Sequence, residues 1–368
     1  MLVKSLSMLA ISFFLLTTLL GCIVQEPATH LEEALAFAPE DSKRIWFTDW
    51  YLLKQYEGGE ELTSQSALDD QFAFIANVTQ EQAAFTNYGL ENAITDKNQT
   101  WGWNILDLRW EATIEIEGSS GAFVFQFPAD FDFAPVIALY ELREFETSLY
   151  EERIIYSHEP DPQLDWFRAS QFAVANTVII EEQNVMIQAL ELEALEKVLD
   201  AFINKSEDSY VEAEIAATMI EQMGEVAGAF IEPNICDHQN LSWNLLARPG
   251  SNLSATELTD LQEARDQLHP YEGIGIGYRY SEGDPVGIIV MPFADAADAS
   301  ADLELREGII EEGNSLVSRQ PFAETVFAIN ETFVENRSLI FQVEPTDKLA
   351  KRLLQSTIAN DMLFALCP

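Results

Sequence analysis

Apolar and polar residues trade places one by one over Leu108 to Glu117, where Glu111-Ala112-Thr113-Ile114-Glu115-Ile116-Glu117 predicts a half-buried strand. Gly118-Ser119-Ser120-Gly121 reads as a turn, and Ala122 to Phe127 as the returning strand of a hairpin. Gly273 to Tyr280 and Val286 to Met291 form a second hairpin around Glu282-Gly283-Asp284. Further strands are predicted at Ile45 to Thr48, Arg153 to Tyr156, within Val174 to Ile187, ending at Glu232, at Thr325 to Phe333 and at Ser338 to Val343.

Helical spacing marks other segments. Asp49 is placed to cap a turn through Trp50 to Leu53. Helices are predicted at Leu68 to Phe85, Ala138 to Glu144, Glu191 to Ile203, Tyr210 to Met223, Ala301 to Glu307 and Lys348 to Leu366. Ser and Asn crowd the stretch before Gln267, which reads as a loop.

The order of elements recurs. Each hairpin is followed by a proline (Pro128, Pro292) and then by a helix carrying Glu-Leu-Arg-Glu, at 141–144 and 304–307. The expected architecture is α+β, in two related halves. Each half is ββαββα, an antiparallel sheet with helices packed on one face, over residues 37–205 and 206–368.

The N-terminus follows a different pattern. Lys4 precedes an apolar run from Leu6 to Leu20 that is too short for the roughly 20 residues of a spanning helix, and Leu19-Leu20-Gly21-Cys22 closes it. This resembles the lipobox of bacterial lipoproteins. The resemblance implies a signal peptide over 1–21, diacylglycerol on the Cys22 sulfur, and a place on the extracytoplasmic side of a membrane. Residues 22–36 are then a tether.

Charge narrows the partners. The 368 residues carry 62 Asp and Glu against 20 Lys and Arg, a formal net charge of −42. Such a field repels phosphate backbones, which argues against nucleic acid, and leaves cations, basic proteins and neutral glycans as compatible partners. Cys236 and Cys367 are the other two cysteines and, in an oxidising compartment, form a candidate disulfide.

Motifs for chemistry are sparse. The sequence has no Gly-x-Ser-x-Gly, no His-Glu-x-x-His and no phosphate-cradling loop with lysine, and nothing in it implies a cofactor. Gly273, Gly275 and Gly277 lie inside a strand and read as a bare sheet face for close packing. Asp295, Asp298 and Asp302 share a helix face, but no EF-hand loop matches, so they read as a solvated face and no metal site is assigned. The four histidines have no nearby candidate nucleophile.

Two groups remain as candidate binding residues. Trp50, Trp101 and Trp103 stack on sugar rings if exposed and fill the core if buried. Arg143 and Arg306, at matching places in the repeated helices, line an anion-binding groove or serve as structural ion pairs.

Phe47-Thr48-Asp49-Trp50, Leu305-Arg306-Glu307 and the ending Leu363-Phe364-Ala365-Leu366-Cys367-Pro368 resemble a group of uncharacterised bacterial envelope lipoproteins. That resemblance implies location and no particular reaction. The expected function is a lipid-anchored binding or interaction module, with an envelope hydrolase using carboxylates, or a structural assembly lipoprotein, as alternatives.

Overall fold

The computed structural model describes residues 28–81, 83–86, 100–161, 163, 175–204, 209–210, 214–238, 255–345, 352–353, 356–357 and 361–368. The expected signal peptide and Cys22 lie outside the described residues. None of the described helices is long and apolar enough to cross a membrane.

The fold is built on one antiparallel sheet of 12 strands. In chain order they are β1 (Ser42–Asp49), β2 (Trp110–Ile116), β3 (Ala122–Gln126), β4 (Glu146–Tyr150), β5 (Arg153–Ser157), β6 (Asn176–Ile180), β7 (Val185–Ala189), β8 (Gly228–Pro233), β9 (Gly273–Ser281), β10 (Asp284–Pro292), β11 (Phe327–Glu335) and β12 (Ser338–Pro345). Across the sheet they run β11-β12-β10-β9-β8-β1-β2-β3-β7-β6-β5-β4. The β1–β8 pairing, from Ile45↔Ile231 to Thr48↔Gly228, joins the strands of the two expected halves into one layer.

Helices lie between the strands along the chain. Among them are α1 (His30–Leu35), α2 (Trp50–Tyr56), α3 (Leu68–Glu81), α4 (Ala134–Leu142), α5 (Leu192–Ile203), α6 (Glu214–Met223), α7 (Ala255–Arg265), α8 (Ala296–Glu312) and α9 (Phe322–Thr325). Helices cover both faces of the sheet, not one. Leu31, Leu35, Leu195, Val198, Met219 and Met223 of α1, α5 and α6 pack on the face that presents Ile45, Phe47, Ile114 and Val124. Leu53, Phe74, Tyr140, Ile310 and Phe322 of α2, α3, α4, α8 and α9 pack on the face that presents Trp46, Phe125, Ile276 and Phe341.

The reason lies in the strands. Ile45-Trp46-Phe47 is an unbroken apolar run, so β1 has no polar side to leave in water, and both faces need a cover. Each large side chain fully buried this way stabilises the fold by roughly 1.5–3 kcal/mol.

Local signals account for several boundaries. The Asp49 carboxylate accepts from the Leu52 N–H at 2.9 Å and starts α2 as expected. Glu282 and Gly283 both take positive φ, 54° and 95°, which closes the β9–β10 hairpin in two residues. On β9 a Cβ at Gly275 would sit 2.7 Å from Met223 Sδ. The bare face predicted for these glycines is the seat of α6.

Other expectations change. Residues 30–35, assigned to a tether, form α1 with Leu31, Ala34 and Leu35 buried. Its amphipathic turn is held by the sheet rather than by its own length. The Asn- and Ser-rich stretch contains α7, and β4 is an edge strand that no alternation announced. Of the expected closing helix, 352–353 and 356–357 are helical and Leu363–Ala365 forms a 3₁₀ turn. Asp361, Met362 and Leu366 are not helical, and the remainder of that helix lies outside the described residues.

Candidate functional site

Helix α1 and the start of β2 meet at the ends of strands β2, β3 and β7, and a cleft of about 400 Å³ opens there. His30 and Glu33 stand one turn apart on α1 and so share a face. That face meets two consecutive residues of the other chain segment. Arg109 Nη2 donates to His30 Nε2, and Trp110 Nε1 donates to Glu33 Oε2 at 3.1 Å.

The relay continues inward. His30 Nδ1 lies 2.7 Å from Oδ2 of the buried Asp49, while Asp49 Oδ1 holds the α2 cap. A guanidinium has no lone pair to offer, so His30 Nε2 is the acceptor and Nδ1 carries the proton donated to Asp49. The imidazole is engaged at both nitrogens.

The rest of the cleft comes from three places. Phe37 follows α1 and stacks on Phe202 of α5, with centroids 4.4 Å apart and planes 3° from parallel. Gln126 and Phe127 end β3, and Gln126 Nε2 donates to the Phe127 and Gln183 carbonyls. The 3₁₀ turn Glu181–Gln183 closes the rim, with Asn184 in the left-handed region at φ 56°. Glu182 on this turn pairs with Arg153. Hydrogen bonding to its own backbone, aided by Arg153, holds its carboxyl below the ordinary value.

The residues singled out from sequence lie elsewhere. Trp50, Trp101 and Trp103 are at most 1% exposed and belong to the core, so they present no face to a sugar. Trp103 packs on Phe125 and Phe127, and Trp101 on Tyr140. Arg143 lies 4.5 Å over the Trp101 ring and donates to the Leu139 and Thr100 carbonyls. Arg306 is fully buried against Asp302. Arg306, without solvent exposure, lines no groove, while Arg143 is part-exposed and donates to two backbone carbonyls.

The aspartate face is also different from its expectation. Asp295 caps α8, but Asp302 is fully buried, bonded to His269 Nδ1 at 2.7 Å and to Arg306 Nε at 2.9 Å. Among the described residues no group of three or more His, Cys, Asp or Glu is arranged to hold a metal ion.

Cys236 and Cys367 form a disulfide, with Cα atoms 5.5 Å apart. It joins the end of the chain to the segment just after β8. Arg265 adds to the closure by donating to the Cys367 and Pro368 carbonyls.

His30, Glu33 and Arg109 carried no sequence signal as a group. Their one clue was a scarce basic residue, Arg109, directly before an alternating strand.

No protein-family model matches the chain, and no curated protein matches it. Among solved structures, crystal form I of TP0453 is similar, at 9% identity and a TM-score of 0.39, covering 88% of this chain and 96% of that one.

Proposed function

We propose that this is a lipid-anchored, extracytoplasmic binding protein that takes a small polar ligand in the cleft between α1, β2 and the β6–β7 turn. The observation that carries the reading is Arg109. In a chain of net charge −42, this cation lines a cleft with an imidazole as its hydrogen-bond partner. Arginine in such a place is suited to planar anionic groups.

Binding is favoured over hydrolysis because the histidine nitrogen that reaches the cleft's arginine is occupied. His30 Nε2 accepts from Arg109, and Asp49 is engaged by both His30 and the α2 cap. A general base needs a lone pair within reach of the substrate proton.

The anchor rests on the lipobox at Leu19 to Cys22. The helix α1 begins eight residues after Cys22, and a chain of that length spans at most about 30 Å. The same reading extends to an origin by duplication. The order β1-β2-β3-β7-β6 outward from the centre mirrors β8-β9-β10-β12-β11, with β4–β5 as an added hairpin. Helix α4 follows β3 as α8 follows β10, and α1 precedes β1 as α6 precedes β8.

Two measurements test the proposal. Cys22→Ala is expected to move the protein from the detergent phase to the aqueous phase; unchanged partitioning refutes the anchor. Ala129→Phe, an exposed cleft position, is expected to abolish every thermal shift found in a small-molecule screen of the wild type. Ligands that bind both proteins equally would place the site elsewhere.

A further inference from the structure

Resting on the reading of this cleft as a binding site, we infer that its ligand is a small zwitterion, an α-amino acid or a short peptide. The carboxylate docks on Arg109, the ammonium docks on Glu33, and the side chain lies toward the phenylalanines.

The balance of charges in the cleft selects this class of ligand. Among the described residues three ionised side chains line it: Arg109, Glu33 and Glu182. Glu182 is already neutralised by Arg153. Glu33 accepts from the Trp110 indole through Oε2, which quenches none of its charge and leaves Oε1 open. Arg109 donates to the imidazole Nε2, whose other nitrogen lies against the buried Asp49 carboxylate. Among the described residues the cleft thus offers one positive and one negative group, neither of them held in a direct ion pair, with the Asp49 carboxylate set back behind the imidazole.

Their spacing follows from the crossed pairing of His30 with Arg109 and Glu33 with Trp110. Residues i and i+3 of a helix stand about 5–6 Å apart at Cβ, and the two charges are set by that interval. An α-amino acid or a dipeptide spans charges on this scale. A dicarboxylate meets Glu33 and the acidic field of the whole chain, and a diamine meets Arg109. Phe202, part-exposed and stacked on Phe37, supplies an apolar wall for a side chain.

The test uses full-length, lipidated protein in detergent and isothermal titration with four probes. These are L-phenylalanine, glycyl-L-phenylalanine, N-acetyl-L-phenylalanine and L-phenylalaninamide. The first or second is expected to bind, the dipeptide more tightly if the natural ligand is a peptide end. Each half-blocked probe is expected to be at least about tenfold weaker, a loss of about 1.4 kcal/mol. Glu33→Gln keeps an acceptor for the Trp110 N–H and so preserves the fold. It should erase the discrimination against the N-acetyl probe while leaving that against the amide. Half-blocked probes that bind as well as their parents overturn the inference. So does binding of a neutral sugar, sensitive to Ala129→Phe, with no zwitterion bound, although the cleft then remains a binding site. If no probe or sugar shows binding that Ala129→Phe abolishes, both readings fall.

Discussion

Asp302 and Arg306 stand one helical turn apart on α8, both without solvent exposure, with Oδ2 2.9 Å from Nε. The guanidinium also donates to the Phe364 and Leu366 carbonyls, and its central carbon lies 4.8 Å from the Tyr271 ring centre. One side chain therefore ties α8 to the C-terminal segment. Arg306→Met takes the donor away from four acceptors, Asp302 and the Phe364, Leu366 and His269 carbonyls, and leaves a buried carboxylate with only His269. The expected loss is about 3–5 kcal/mol in equilibrium urea unfolding. Arg306→Lys is expected to recover little, since a point charge cannot serve Asp302 and the carbonyls together. Glu304→Ala on the exposed face of the same helix should fall within about 0.5 kcal/mol of wild type.

His269 makes the same cluster sensitive to pH. Its pKa is raised above the ordinary 6.5, first by the hydrogen bond to Asp302 and then by the charges of Asp302, Asp298 and Asp295. A raised histidine pKa in the folded state means that protonation favours folding. The contribution is complete below about pH 6.5 and is lost as pH climbs through the elevated folded value. Urea midpoints of the wild type should fall across that window. His269→Gln should flatten the fall, and an unchanged slope would remove His269 as its source.

Glycine substitutions should change stability in opposite directions at two positions. A Cβ at Gly277 would lie 2.8 Å from the Gly228 carbonyl and 2.8 Å from Met223 Cε. The backbone contact has no rotamer to escape into, so Gly277→Ala is expected to cost about 1–3 kcal/mol. Gly308 lies inside α8 with nothing within 4 Å of the same added atom. Gly308→Ala should stabilise by about 0.5–1 kcal/mol through helix propensity. Thermal unfolding of the two variants side by side checks both signs.

How far these features were readable from the chain depends on how local their causes are. The β2–β3 and β9–β10 hairpins were legible because alternation and turn residues sit within a few positions of each other. The disulfide pair was legible because the chain has three cysteines and the expected lipidation of Cys22 leaves two to match. Helix α1 was hidden, since six residues have no helical stability of their own and Leu31 and Leu35 gain theirs from the sheet. Edge strand β4 is exposed at four of its five positions and so lacks the apolar face that marks a strand. The tryptophans left two readings open, core or sugar platform, because an aromatic side chain reports payload and not exposure. In the cleft, Arg109 and His30 are separated by 79 positions, and only the sheet brings them together. Asp49 was visible as a cap, but its second oxygen, on His30, was not.

The disulfide supplies the last prediction. Cys236 and Cys367 are 131 positions apart, and closing a loop of that length removes unfolded-state entropy worth about 5 kcal/mol in the chain-entropy account. Cys367 is 5% exposed and the C-terminal carbonyls are held independently by Arg265 and Arg306. Reduction should therefore leave the native fold in place while making it easier to unfold. The double variant Cys236→Ala/Cys367→Ala is expected to keep its near-UV spectrum at low urea. Its unfolding midpoint should drop in proportion to a loss of about 3–5 kcal/mol. Dithiothreitol should lower the wild-type midpoint to the same place and leave the variant's unmoved; equal midpoints for oxidised and reduced wild type would show that the bridge contributes nothing to stability.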